Sequence, residues 1–260
     1  MYIDIGANLT HDSFHPDFDE VLARAAAKGV LQMVVTGASR EGSQDAARLA
    51  RDHDHLFATA GIHPHHAEET TQDVINELRD LADEDKVVAV GETGLDFFRD
   101  FSPRPAQVKS FEQHIELAIE LGLPMFLHER DAYPAFADIL RAHHEHIARQ
   151  VVHCFTGEKE ALYAYLDLDC YIGITGWVCD ERRGQHLLPL LDLIPENRLL
   201  IETDAPYLLP RSLKPKPKSR RCEPKHLVEV CRFMSSVLDI PEETLADRTY
   251  ANANRFFGLN

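Results

Sequence analysis

Several features common in chains of this size are missing. The five cysteines, Cys154, Cys170, Cys179, Cys222 and Cys231, are odd in number, widely spaced and form no Cys-x-x-Cys. Neither a disulfide framework nor a structural zinc site is indicated, and a reducing cytoplasm is the expected compartment. No apolar run approaches the roughly 18 residues of a membrane span. Met1-Tyr-Ile-Asp leads into a strand-like segment with no basic n-region or cleavage site, so no membrane partner is expected. Positive charge is also scarce: 27 Lys and Arg against 43 Asp and Glu leave a net charge of -16. That balance excludes a general basic face that coats duplex nucleic acid by counterion release, so any nucleic-acid contact must be local. Internal repeats, low-complexity tracts and domain linkers are absent as well.

What is present is an alternation of short apolar runs and amphipathic stretches. Tyr2 to Leu9 reads as a strand, and Asp17 to Lys28 as a helix with Phe18, Val21, Leu22 and Ala25 at helical spacing and Gly29 as its stop. The pattern then recurs. Strands at Leu31 to Thr36, Leu56 to Ala60 and Val87 to Val90 precede helices near Arg40 to Asp52, Gln72 to Leu81 and Pro105 to Leu121. Strands at Pro124 to Leu127, Val151 to Val152, Tyr171 to Ile174 and Leu199 to Ile201 precede helical stretches at Ala135 to His143, Lys159 to Leu166, around Leu187 to Leu191, and finally at Leu227 to Leu238 and Pro241 to Phe256. Roughly eight βα units in 260 residues is the arithmetic of one (β/α)8 barrel domain spanning residues 1–260. A doubly wound open sheet is the alternative.

Four of the apolar runs are followed closely by a side chain competent to bind metal. Glu92, His128, His153 and Asp204 are separated by 36, 25 and 51 residues, which is one, one and two βα units at about 30 residues each. All four are therefore expected on the C-terminal rim, where barrels place their chemistry. Carboxylate with imidazole suits zinc, manganese, iron or cobalt, and a carboxylate-dominated set suits magnesium.

The motifs Gly61-Ile-His-Pro64, Gly91-Glu-Thr-Gly-Leu-Asp96, His153-Cys-Phe-Thr-Gly157 and Glu202-Thr-Asp-Ala-Pro-Tyr207 resemble those of the TatD-type metal-dependent deoxyribonucleases, which belong with the amidohydrolase-like barrels. The resemblance runs from the first strand to Asn252-Ala-Asn-Arg-Phe-Phe257, and Gly173 to Gly184 is similar to the TatD subgroup. It implies a cytoplasmic, magnesium-stimulated 3′→5′ exonuclease on single-stranded DNA or RNA, associated with repair and degradation of DNA. Glu92, His128 and His153 match the family's metal ligands, and Asp204 its metal-associated acid. Most relatives carry a His-x-His pair on the first strand, where this chain has Gly6 and Asn8. The TatD subgroup lacks the pair too. One tightly held ion is therefore expected, magnesium first with manganese or zinc as alternatives, and a second ion recruited only weakly.

The chemistry of phosphodiester hydrolysis assigns further roles. Glu92 either bridges two ions or orients a water, and Asp204 either accepts a proton or completes a ligand shell. His63 and His65 are candidates for touching a phosphate or the 3′ end, with a structural role as the alternative. Arg130 is a candidate phosphate clamp, because its planar fork matches phosphate oxygens; pairing with Asp131 is its alternative. Lys214 to Lys225 concentrates base, including Arg220 and Arg221, against the single acid Glu223. It is either a solvated loop or an electrostatic funnel for single strands. Trp177, Phe155, Phe97 and Phe98 are candidates for stacking on bases. A monomer acting on single-stranded DNA or RNA is expected. A small-molecule ester or amide hydrolase on the same barrel, or a weakly catalytic nucleic-acid-binding protein, are the competing functions.

Overall fold

The computed structural model describes residues 1–259; Asn260, the last residue of the expected domain, lies outside them. Eight strands form: β1 (Tyr2–Ala7), β2 (Val30–Val35), β3 (Leu56–Ala60), β4 (Val87–Asp96), β5 (Met125–Arg130), β6 (Gln150–Val152), β7 (Tyr171–Ile174) and β8 (Leu199–Ile201). They lie in one sheet in chain order, and Ala7 at the end of β1 also bridges in parallel to Ala205 after β8. The architecture is the expected (β/α)8 barrel.

The helices are α1 (Phe18–Ala26), α2 (Arg40–Asp52), α3 (Gln72–Ala82), α4 (Arg104–Leu121), α5 (Tyr133–His143), α6 (Lys159–Asp167), α7 (Leu188–Leu191), α8 (Leu227–Leu238) and α9 (Glu242–Phe257). Local chemistry sets their ends. The Ser39 hydroxyl accepts from Gly42 N at 3.0 Å to open α2, and Thr71 does the same for Val74 N to open α3. Helix α4 stops at Gly122, whose φ of 65° is left-handed. None of the helices among the described residues is long and apolar enough to cross a membrane.

Contacts gather the chain into two compact units. One comprises Met1–Val34, Cys154–Glu158 and Ile172 onward, and so holds β1, nearly all of β2, most of β7, and β8; the other comprises Val35–His153 with Lys159–Tyr171, and so holds β3 to β6. The largest departure from the expected elements is in the second unit. Strand β4 continues six residues past Val90, and β5 continues three past Leu127. The added residues are mostly polar or glycine, so hydropathy ends the strands early, whereas the ladder carries on: Gly94, Leu95 and Asp96 pair with His128, Glu129 and Arg130.

In the first unit a buried acid ties β1 to the chain beyond β8. Asp4 accepts from Thr203 N at 2.9 Å and from the Thr203 hydroxyl at 2.5 Å, with no exposure to solvent. Burial pushes its carboxyl up to about 7 despite those hydrogen bonds. The folded state therefore binds this proton more tightly than the unfolded chain, whose carboxyl titrates near 4. The resulting stability is complete below about pH 4 and is lost as pH rises towards 7. Asp4→Asn reproduces the protonated acid, so its thermal midpoint is expected to match wild type only at about pH 4 and below. At pH 8 it should exceed wild type by roughly 10 °C, on the order of 4 kcal/mol. Calorimetry at the two pH values checks this, and a difference that does not change with pH sinks it.

Candidate metal centre

The centre is built in the second unit around one irregularity of β4. Gly91 pairs with Phe126 and Thr93 with Leu127, so Glu92 is the extra residue of a bulge and has no partner on β5. A bulge of this kind re-aims a side chain. Glycine makes it feasible here. A Cβ on Gly91 would lie 2.1 Å from the Phe126 carbonyl oxygen, and one on Gly94 would lie 2.0 Å from that of His128; both backbones have φ near +140°. Gly61 meets the same strand, where a Cβ would come within 2.5 Å of Gly91 Cα. The Glu92 amide donates to the Gly37 carbonyl at 2.7 Å, which anchors the bulge on the β2 side.

The bulge puts one carboxylate oxygen among three imidazoles. Glu92 Oε1 lies 2.7 Å from His153 Nε2, 3.0 Å from His128 Nδ1 and 3.4 Å from His63 Nε2. His63 Nε2 and His128 Nδ1 are 3.2 Å apart. All four residues are buried or nearly so. Edges of about 3 Å are those made by ligands at about 2.0–2.2 Å from a shared divalent ion. The residues therefore fit such an ion, and His63, Glu92 and His128 form a group that could hold one. His128 Nε2 is buried without a hydrogen bond, 3.5 Å from Asp96 Oδ2.

Electrostatics fit a cation as well. Burial opposes ionisation of Glu92, but the His153 and His63 rings and hydrogen bonds from His128 and His153 outweigh it and hold the carboxyl well below its ordinary value. Burial also opposes charging of His128, which the nearby Asp96 and Glu92 carboxylates overcome, raising its value. His63 goes the other way. Burial drives it well below its ordinary value against the pull of Glu92, so its ring is neutral. His63 Nδ1 accepts from His65 N at 3.0 Å, so the proton of the neutral ring is assigned to Nε2. His63 thus turns an N–H, not a lone pair, towards Glu92, and ligation through Nε2 would require giving up the His65 bond. A second histidine, His114, holds this loop from beneath: its Nε2 accepts from Ile62 N at 3.0 Å, its Nδ1 donates to the Ser110 carbonyl at 2.7 Å, and burial pushes its value down to about 4.

The remaining expected residues have separate settings. His65 lies 2.7 Å from Asp96 Oδ2, so Asp96, to which the motif alone assigns no role, links His65 to His128. Burial disfavours its ionisation, but the nearby His128 ring and hydrogen bonds from His65 and the Arg99 amide outweigh this and hold its carboxyl well below the usual range. Arg130 Nε is 3.8 Å from Asp131, and its guanidinium lies 5.2 Å from the Phe98 ring. Asp204 belongs to the first unit, where its amide donates to Gly6 O at 2.8 Å and its Oδ1 accepts from Asn8 Nδ2 at 2.9 Å. Gly6 and Asn8, expected to matter as missing ligands, both hydrogen-bond to Asp204.

Within the basic loop Lys214, Lys216, Lys218 and Arg220 lie towards solvent, half-buried at most. Arg221 is not a free loop cation: it donates to both Asp17 oxygens at 2.8 Å and to Glu223 at 3.0 Å. Arg24 and Lys225 join the same cluster. Burial opposes ionisation of Glu223, yet the hydrogen bonds from Arg24, Arg221 and Lys225 hold its carboxyl at about 2. Only tertiary proximity brings Asp17 to Arg221, across 204 residues of sequence.

Comparison with known proteins places this arrangement in context. The family model described as TatD related DNase matches residues 3–258. The 3′-5′ ssDNA/RNA exonuclease TatD of Pantoea ananatis is 48% identical over 257 residues, covering 98% of this chain and 99% of that protein. The protein of the same name from Klebsiella pneumoniae is 47% identical, covering 99% and 98%. Among solved structures, the TatD homologue YjjV of Escherichia coli superposes with a TM-score of 0.91 at 27% identity, covering 100% of this chain and 98% of that one. A TatD family hydrolase of Entamoeba histolytica gives 0.87 at 29%, covering 98% and 97%.

The geometry makes a prediction about ion binding without substrate. Manganese or zinc at about 100 times its Kd adds about 2.7 kcal/mol, so the thermal midpoint should rise by about 5–10 °C. Glu92→Gln and His153→Ala should abolish the rise. His63→Gln should keep at least half of it. Complete loss in the His63 variant would make that ring a ligand and overturn the proton assignment.

Proposed function

This chain belongs to the TatD-related DNase family, and from that membership we propose that it is a metal-dependent 3′→5′ exonuclease that hydrolyses phosphodiester bonds of single-stranded DNA and RNA. The observation that carries the reading is the Glu92 oxygen ringed by His63, His128 and His153, joined to near-50% identity with exonucleases over the whole chain. The proposal treats residues 1–260 as one catalytic domain, acting as a monomer. The family match over 3–258 supports the single domain. Five free cysteines suit the cytoplasm as its compartment.

Glu92, His128 and His153 are the proposed holders of a divalent ion, magnesium in turnover with manganese or zinc binding more tightly. When bound, such an ion relieves charge on the nonbridging oxygens and eases deprotonation of water and departure of the 3′-oxygen. The protein's own groups do the rest. His63, neutral and with its proton at Nε2, is the proposed donor to the phosphate, which would take that N–H from its present direction towards Glu92. His65, held by Asp96, lies beside it for the 3′ end. Asp204, oriented by the Asn8 amide, accepts the proton of the attacking water; its assignment rests on the Glu202-Thr-Asp-Ala-Pro-Tyr207 motif. Asn8 replaces an imidazole with a weak neutral donor, which disfavours a second tight ion.

Digestion of single strands labelled at either end, across a metal panel, tests the reading. Shortening from the 3′ end with magnesium or manganese is the expected result, with Glu92→Gln and Asp204→Asn each lowering kcat at least roughly 100-fold. Turnover of small esters with none on oligonucleotides would favour the other hydrolase reading, and metal-independent binding without turnover would favour a binding protein. For the loop, Lys218→Ala with Arg220→Ala should raise KM and flatten its salt dependence. Arg221→Ala should instead lower the thermal midpoint, because Asp17 and Glu223 lose their partner. A KM effect confined to the Arg221 variant would reverse that division of labour.

A further inference from the structure

The loop after β4 displays aromatic rings that the fold does not use. Of the chain's 13 phenylalanines, Phe98 and Phe101 are the two exposed ones among the described residues, at 57% and 65%. They stand three residues apart. Their exposure does not come from a loose segment, because buried groups fasten the loop at each end. Asp96 Oδ1 accepts from Phe98 N at 3.0 Å and Arg99 N at 2.8 Å. Gln107, buried in α4, accepts from Asp96 N at 2.8 Å and donates to the Ser102 carbonyl at 2.9 Å. The Ser102 hydroxyl donates to the His65 carbonyl at 2.9 Å. The rings are thus held out on a fixed backbone, which removes much of the ordering cost of binding something to them.

The surroundings indicate what fits. The guanidiniums of Arg130 and Arg99 lie 5.2 and 5.5 Å from the Phe98 ring centroid, and that of Arg104 lies 4.3 Å from the Phe97 ring. An apolar peptide or a lipid would seek a continuous greasy patch, whereas these rings are interspersed with cations. A planar group that carries negative charge beside it suits that alternation, as an unpaired base with its phosphate does. The loop is also continuous with the metal centre. Phe101 packs on His65 with ring centroids 4.6 Å apart, His65 meets Asp96 Oδ2 at 2.7 Å, and the same oxygen is 3.5 Å from His128 Nε2.

We propose that Phe98 and Phe101 form a base-stacking subsite that holds unpaired nucleobases near the end of a single strand, with Arg99 and Arg130 beside the connecting phosphates. The inference rests on the exonuclease reading for the strand's orientation but concerns binding. Phe97 is half-buried under Arg104 and Phe155 is buried, so neither belongs to the subsite.

The test uses the full chain with manganese and a short single strand whose linkages near the 3′ end are phosphorothioates, with 2-aminopurine as the penultimate base. Wild type should quench its fluorescence by stacking. Phe98→Ala and the double variant Phe98→Ala/Phe101→Ala should lose the quench and raise KM on an ordinary strand by roughly 10-fold per ring. Their kcat and thermal midpoint should stay near wild type, and Phe98→Trp should restore the quench. Replacing the terminal bases with abasic residues should raise the wild-type KM to that of the double variant and leave the double variant unchanged. Equal quench and equal KM in wild type and double variant would overturn the proposal. So would a change from dimer to monomer in the double variant with strand binding intact, which would mark the rings as a contact between copies. If wild type cleaves no strand with any metal, the exonuclease reading falls, while loss of quench in the Phe98 variant would still establish the stacking subsite.

Discussion

The centre depends on a single carboxylate oxygen. Glu92 Oε1 is approached by three imidazoles because one residue of β4 is surplus to its ladder with β5. Without the bulge Glu92 would fall into the regular in-out alternation of β4, and its carboxylate would be redirected. The glycines of the Gly91-Glu-Thr-Gly-Leu-Asp96 motif therefore act through the backbone: at both positions a neighbouring carbonyl occupies the space a Cβ would need. The motif has a chemical residue and a geometric frame, and the second makes the first useful.

Holding an ionised carboxylate and three imidazoles within about 3.4 Å of one of its oxygens works against stability, since each buried group must be compensated by its neighbours. The structure supplies that compensation in layers. Asp96 supports His65 and His128, the His65 amide settles the tautomer of His63, and His114 pins the loop that carries His63. Partners one step removed from an ion set ligand orientation as much as the ligands do. The same Asp96 also caps the loop that displays Phe98, so orientation at the metal centre and presentation of the aromatic rings share one residue.

The other unit arranges its acid by different means. Asp204 is held by Gly6 of β1 and Asn8 just beyond it, while Asp4 of β1 bonds Thr203 next door. One segment, β1 and the residues just beyond it, thus fixes a loop that is distant in sequence. That arrangement accounts for Asn8 without invoking a ligand, since an amide can donate to a carboxylate; Gly6 contributes its backbone carbonyl.

Sequence alone determined the alternation of strands and helices, because burial of a parallel strand on both faces demands an unbroken apolar run and an amphipathic helix must follow at 3.6-residue period. It also picked out Glu92, His128 and His153, since three metal-competent side chains at βα spacing converge in any barrel of this kind. Availability and direction were decided by the tertiary structure. Hydropathy ends β4 at Val90 because polar residues and glycines lie beyond it, although their backbones stay in the ladder as far as Asp96. His63 reads as a rim residue, yet its Nε2 lies 3.2 Å from His128. Arg221 looks like a spare loop cation in a linear chain, whereas in the fold Asp17, 204 residues away, lies against it. Phe98 and Phe101 cannot be told from core aromatics by spacing, and only the packed fold leaves them in water. Residue type and period are local properties of a chain, whereas a proton's tautomer, a charge's partner and a ring's exposure belong to the neighbours that folding brings.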